Sequence, residues 1–189
     1  MGRTVIGIIL GLVLAPVALL AWFHWGHPPV AVADPPLPIE RWVTHVALNA
    51  RIQSEMPTAA PIQADEGNLA AGAQIFRDQC AACHGFQGKV STFAAHMYPR
   101  APQLWEKHGN SDVVGVSDDP PGETVWKVTN GIRLTGMPAY RGVLTETQIW
   151  QVSLLLASAD KPLPAATQKI VQGEEPPAVK ADAAAQRAK

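Results

Sequence analysis

Residues 4–25 are apolar almost without interruption and contain no Asp, Glu, Lys or Arg. As a helix rising 1.5 Å per residue, such a run crosses the roughly 30 Å hydrocarbon core of a bilayer. Arg3 precedes it, and Trp22 and Trp25 close it, giving a positive flank at one end and interfacial aromatics at the other. His24 and His27 read as interfacial residues. The pattern predicts a single-pass anchor, with the N-terminus inside and the rest of the chain exported. Ala31-Val32-Ala33 resembles a signal cleavage site. The apolar run is longer than a usual signal core, however, and that site lies well past its end, so an uncleaved anchor is expected.

The pattern then changes twice. Residues 26–38 are a proline-rich linker, extended if wholly polyproline-like. Residues 38–55 follow as an amphipathic helix, with Ile39, Trp42, Val43, Val46 and Ile52 near one face and Arg41, Asn49 and Arg51 elsewhere. Packing on the following domain or lying near the membrane would explain that face, and so would docking a partner subunit; the 26–64 segment as a whole reads as a linker carrying this helix.

A folded domain is expected over residues 65–160. Asn68 is placed to cap a helix over 69–79, and residues 102–107 read as a short helix after a long loop. A further helix starts near Pro121 and stops at Asn130-Gly131, a left-handed cap. The clearest helix is the last, where Thr145 and Gln148 have capping-box spacing and Ile149, Trp150 and residues 152–156 supply a buried face. No strand alternation is convincing, so the fold class is all-α. Residues 161–189, rich in Ala, Pro, Lys and Glu, read as a disordered tail.

The chain has 189 residues, a formal net charge of −1 and 17 prolines, so one modest domain carries the core. Residues 65–160 hold 7 Lys and Arg against 10 Asp and Glu, a net of −3. That balance gives no reason to expect nucleic acid as a partner. Asp112, Asp118, Asp119 and Glu123 form an acidic region, while Lys89, Arg100, Arg133 and Arg141 flank other loops. Such patches steer short-lived encounters, although a mixed solvated surface looks the same.

Chemistry enters at Cys80-Ala81-Ala82-Cys83-His84, which contains the only two cysteines. This run is the attachment site of a c-type haem. Two thiols one helical turn apart add to two vinyl groups, and the next imidazole is held beneath the iron. Zinc is disfavoured, because His96 and His108 are too far apart for a finger. A redox dithiol wants a βαβ context, and a disulfide across so short a loop stabilises little.

The opposite face of the iron needs a second ligand. Met137 stands between Gly136 and Pro138, in the loop before the last helix, and is assigned by that position. Met97, His96 and His108 lie in loops too and stay as alternatives, and core filling is the common role of any methionine.

With both motifs in order, the chain resembles a monohaem class I c-type cytochrome with an N-terminal membrane anchor, over about residues 67–158. The resemblance implies a class I cytochrome c fold whose first and last helices cross through Gly72, Phe76, Trp150 and Leu154. It implies that the Pro102 carbonyl, in Pro102-Gln103-Leu104, accepts from His84 Nδ1, and that Leu104 packs on the porphyrin. Arg100, Tyr98 and Trp126 are candidate pocket residues, Arg100 toward a propionate. The cofactor expected is one covalently bound haem c.

A His- and Met-ligated iron has no vacant site and a raised potential, which suits one-electron transfer rather than enzymology. A tethered carrier between a membrane dehydrogenase, an oxidase or another cytochrome is the first reading. A fixed subunit of such a complex is the second, and a haem enzyme or gas sensor the third. The expected location is a bacterial inner membrane with the haem domain in the periplasm.

Overall fold

The computed structural model describes residues 2–109 and 111–174. The chain divides into two units, residues 1–44 and 45–189. In the first, helix α1 spans Gly2–Trp25 with Pro16 inside it and no buried residue. It is long and apolar enough to cross a membrane, a test that a signal sequence also passes. The linker after it is not wholly extended. Asp34 closes a turn by accepting from the amides of Val30 and Ala31, both at 2.8 Å, and those bonds hold its carboxyl below the usual range.

Helix α2 spans Glu40–Glu55, close to the expected bounds. Its apolar face is used unequally. Ile52 is buried, whereas Trp42, Val43 and Val46 are exposed. The C-terminal part of the helix, residues 45–55, belongs to the second unit and is fixed within it. Trp126 Nε1 donates to Glu55 Oε2 at 2.9 Å, and Gly122 lies so close to the Pro57 carbonyl that a Cβ there would overlap it.

The second unit is built on helix α3, Glu66–Ile75. It starts earlier than expected, because Asp65 rather than Asn68 caps it, accepting the Asn68 amide at 2.9 Å. The Asn68 side chain instead accepts from Gln151 Nε2 at 2.9 Å on the last long helix. Next come a π-helical turn, Phe76–Cys80, and the short α4, Ala81–His84. After a 3-10 turn at Phe93–His96 come α5, Pro121–Asn130, and α6, Glu146–Leu156. Helix α5 ends at Gly131, which has a φ of 66°, and α6 begins with a complete capping box on Thr145 and Gln148, both as expected. Residues 102–107 are not the expected helix: only Leu104 and Trp105 form a turn, and Lys107 makes an isolated bridge with Val114. Among the described residues the fold is all-α, with three isolated bridges and no named strand.

Helices α3 and α6 cross at the centre. A Cβ on Gly72 would overlap the Gln151 carbonyl and press on Leu155, so glycine sets the approach distance. Leu69, Ala73, Phe76, Val152, Leu155 and Leu156 fill that crossing.

Contrary to the disordered tail expected from residue 161, α7 spans Ala165–Val171 and buries Thr167, Ile170 and Val171. Burying the Ile170 and Val171 side chains contributes about 1.5–3 kcal/mol each, enough to order a short segment against a preformed surface. The Gln87 amide donates to the Val171 carbonyl at 2.8 Å, so α7 covers the loop after His84. The rest of the expected tail, 175–189, lies outside the described residues.

Candidate functional site

The π-helical turn sets the register of the Cys80–His84 run. The Ala81 amide donates to the Phe76 carbonyl instead of the usual i−4 acceptor, and such single π turns recur where side chains must be re-aimed. Gly85 then stops α4 with a φ of 73°. A Cβ there would lie 2.6 Å from Gln103 Oε1 and 2.8 Å from the Lys89 carbonyl. The chain turns where only glycine fits.

Cys80 and Cys83 are half-buried and unpaired. Burial, then the neighbouring Cys83 sulfur, pushes the Cys80 thiol up to about 12. The Cys80 thiol is therefore not primed as a thiolate, and among the described residues no cluster of three or more His, Cys, Asp and Glu gathers around a point. The zinc alternative therefore lacks its donors.

His84 Nδ1 lies 2.8 Å from the Pro102 carbonyl. A carbonyl only accepts, so Nδ1 carries the proton and Nε2 keeps its lone pair. Burial lowers the imidazole below its ordinary range, with the Pro102 bond opposing, so the ring is neutral at pH 7. The contact that the resemblance implied is present in the fold. Leu104 is buried in the same core, and its amide donates to the His84 carbonyl at 3.3 Å.

Between them stands Gln103, which the sequence reading passed over as a spacer. Its Oε1 accepts from the Ser91 amide at 2.7 Å, and its Nε2 donates to the Cys83 carbonyl at 3.1 Å and the Ala101 carbonyl at 3.2 Å. One side chain thus satisfies the polar backbone on which the motif turns.

Met137, the expected second ligand, lies in the loop from Gly131 to Tyr140. Met137 is half-buried and packs against the core, whereas His96 and His108 are exposed. The Met137 amide donates to Thr135 Oγ1 at 3.1 Å, whose hydroxyl donates to the Ile132 carbonyl at 2.7 Å. Tyr140 closes the loop by donating to the Gln79 carbonyl at 2.8 Å. Tyr140 was another residue missed; no spacing rule reveals a bond across so long a separation. Met97 is half-buried and sits against Gly136.

The outer pocket residues divide. Arg100 and Tyr98 are on the exposed side of their loop. Trp126 directs its indole N–H to Glu55 and so serves α2. Trp105, absent from the expected set, is buried with its ring edge-on to Phe76 at 5.5 Å. Its Nε1 has no hydrogen-bond partner among the described residues. Buried indole N–H groups usually find an acceptor, and an acidic bound group would supply one. The residues present therefore fit a haem: two neighbouring thiols, a neutral imidazole with a free nitrogen, a thioether and an unsatisfied donor.

The helical fold and a family match together make this an electron-transfer haem protein, with a class I c-type cytochrome domain following an N-terminal apolar helix. Residues 67–154 match the family model described as cytochrome c oxidase, cbb3-type, subunit III, which implies haem c binding. No curated protein matches the chain. A solved structure, the reducing HAO-like protein complex of Kuenenia stuttgartiensis, matches at 18% identity with a TM-score of 0.42. The match covers 74% of this chain and 54% of that one, so the chain spans about half of its length. That likeness is too loose to bear on fold or function.

Proposed function

We propose that this protein is a membrane-anchored one-electron carrier. Cys80 and Cys83 would hold one haem c through thioether bonds, and His84 Nε2 and Met137 Sδ would ligate its iron. The observation that carries the reading is the 2.8 Å bond from His84 Nδ1 to Pro102 within the attachment motif. It fixes the tautomer and turns the free nitrogen away from the carbonyl, as metal-bound histidines require. When bound, the haem supplies an iron that alternates between ferrous and ferric states. The chain's own part is to hold both ligands in place, so that the change of charge needs little rearrangement, and to raise the potential through the thioether and burial.

Helix α1 holds the protein in a bacterial inner membrane, with the haem domain on the periplasmic side, and redox proteins are its partners. A second reading has a specific support. Trp42, Val43 and Val46 of α2 remain exposed, and the matching family model is described as an oxidase subunit. On that reading the protein is a fixed electron-transfer subunit of a membrane dehydrogenase or terminal oxidase complex.

Met137→Ala tests the ligand assignment. Haem should stay covalently attached, while the potential falls, carbon monoxide binds the reduced protein, and the charge-transfer band of methionine-ligated ferric iron disappears. A variant with the wild-type spectrum and potential would refute it. A mature protein of bare peptide mass would refute haem attachment itself, and a stoichiometric partner surviving mild detergent would select the second reading.

A further inference from the structure

We propose that Met97 clasps the Met137 loop closed, acting as a positioning residue for the Met137 thioether. The inference rests on Met137 as an iron ligand. Its basis is a contact between two loops that the sequence keeps far apart. A Cβ built on Gly136 would overlap the Met97 methyl group. Gly136 is not among the glycines with positive φ, so its backbone suits any residue. What glycine provides here is room for Met97.

Met97 is rooted on the other side of the site. Its amide donates to the Ala94 carbonyl at 3.3 Å, and Ala94 is fully buried. The Ala94 amide donates to Ser91 Oγ at 3.2 Å, and that hydroxyl donates to the Ala82 carbonyl at 2.5 Å, between the two cysteines. In the other direction the strand of chain from Met97 runs directly to Pro102, which holds His84. Met97 therefore has its backbone tied to the attachment turn and its tip seated on the residue before Met137.

The Met137 loop needs such a hold. Among the described residues, the hydrogen bonds of residues 132–137 all close within the loop. Leu134 at its tip has a φ of 63° and is 84% exposed. A branched side chain is disfavoured in that left-handed region, and nothing buried repays it locally. Tyr140 secures the end after Met137, and Met97 secures the end before it. Loss of the clasp frees the loop to swing, exchanging the thioether for an outside ligand.

The test is imidazole binding to the ferric haem-loaded protein, followed by loss of the methionine charge-transfer band. Met97→Ala should bind imidazole about tenfold more tightly, the ratio that roughly 1.4 kcal/mol of lost packing gives. Met97→Leu, nearly volume-conserving, should stay within about twofold of wild type. Gly136→Ala, which displaces the Met97 tip without touching Met97, should move in the direction of Met97→Ala, and it serves as the readout if that variant does not mature. If the wild type shows the band and both Met97→Ala and Gly136→Ala bind imidazole like wild type, the clasp is refuted while Met137 stands as ligand. If the wild type has no band, or Met137→Ala keeps it, the ligand reading fails first. If Met97→Ala and the volume-conserving Met97→Leu both abolish the band without imidazole, Met97 is itself a ligand and the clasp is refuted.

Discussion

The Tyr140 hydroxyl donates to the Gln79 carbonyl at 2.8 Å, joining the loop that presents Met137 to the residue before Cys80. The loop that carries Met137 is therefore joined to the π-helical turn that leads into the Cys80–His84 run. Tyr140 is half-buried, and burial raises its phenol further above an already high ordinary value, so the donor persists throughout the neutral range.

Tyr140→Phe should leave haem attachment intact and lower unfolding stability by about 1 kcal/mol, the net worth of one such bond. Urea titration of the oxidised protein, followed in parallel by helicity and by the methionine charge-transfer band, measures it. The band should be lost at lower urea than in wild type. A variant whose two transitions match wild type would show that Gln79 and Tyr140 merely touch.

Gln103 is the sharper test of the attachment turn. Gln103→Leu removes the partner of the Ser91 amide and of the Cys83 carbonyl, and stranding part-buried polar backbone costs about 1–3 kcal/mol. Gln103→Glu should be worse at neutral pH, because a carboxylate would replace an amide donor facing the Cys83 and Ala101 carbonyls. Its deficit should shrink in acid as that carboxyl protonates and can donate again. Equal stabilities for Glu and Leu variants across pH 4–8, an interval chosen to bracket ordinary carboxyl titration, would argue against the bonding pattern.

How much of this was legible in the chain depends on range. The Thr145–Gln148 capping box and the Gly131 stop are local, and both stood where the residues put them. The Cys80–His84 run is equally local. Gln103 and Tyr140 were missed because their partners are backbone groups up to dozens of residues away, with no periodic signature. Asn68 misled for a different reason. Asp65 could cap as well, and the choice was made by Gln151, which takes the Asn68 side chain from across the α3–α6 crossing. Helix α7 was hidden by composition. Its few apolar residues look too sparse to fold alone, but Ile170 and Val171 meet a surface already formed by α3 and the π-helical turn.

Helix α2 should prove to be half docked. Trp126→Phe deletes the N–H that reaches Glu55 while keeping most of the ring, and Ile52→Ala empties a position that is 1% exposed. Hydrogen exchange over residues 48–56 should accelerate in both variants, more for Ile52→Ala, where a buried Ile→Ala change costs about 2–5 kcal/mol. The midpoint potential should not move, because neither side chain belongs to the set of haem-binding donors. A shifted potential with unchanged exchange would return Trp126 to the haem pocket and dissolve its role as a tether.

The α5 surface carries a pH dependence of defined sign. Burial, and then Glu123, raise the Asp119 carboxyl above its ordinary value of 3.8, with Asp118 adding and Lys127 and His108 opposing. Lys127 sits 2.6 Å from Glu123 and 3.9 Å from Asp119, so Glu123 takes most of its charge. A raised carboxyl means that the folded state binds this proton more readily than the unfolded chain does. The contribution therefore favours folding below 3.8 and is lost as pH rises through the raised folded value. Asp119→Asn removes that loss. Thermal midpoints should show the variant gaining on wild type as pH climbs from 3.8 toward neutrality, and no gain in stronger acid. The opposite slope would mean that the Lys127 pairing outweighs desolvation and that Asp119, despite its distance, is the better partner.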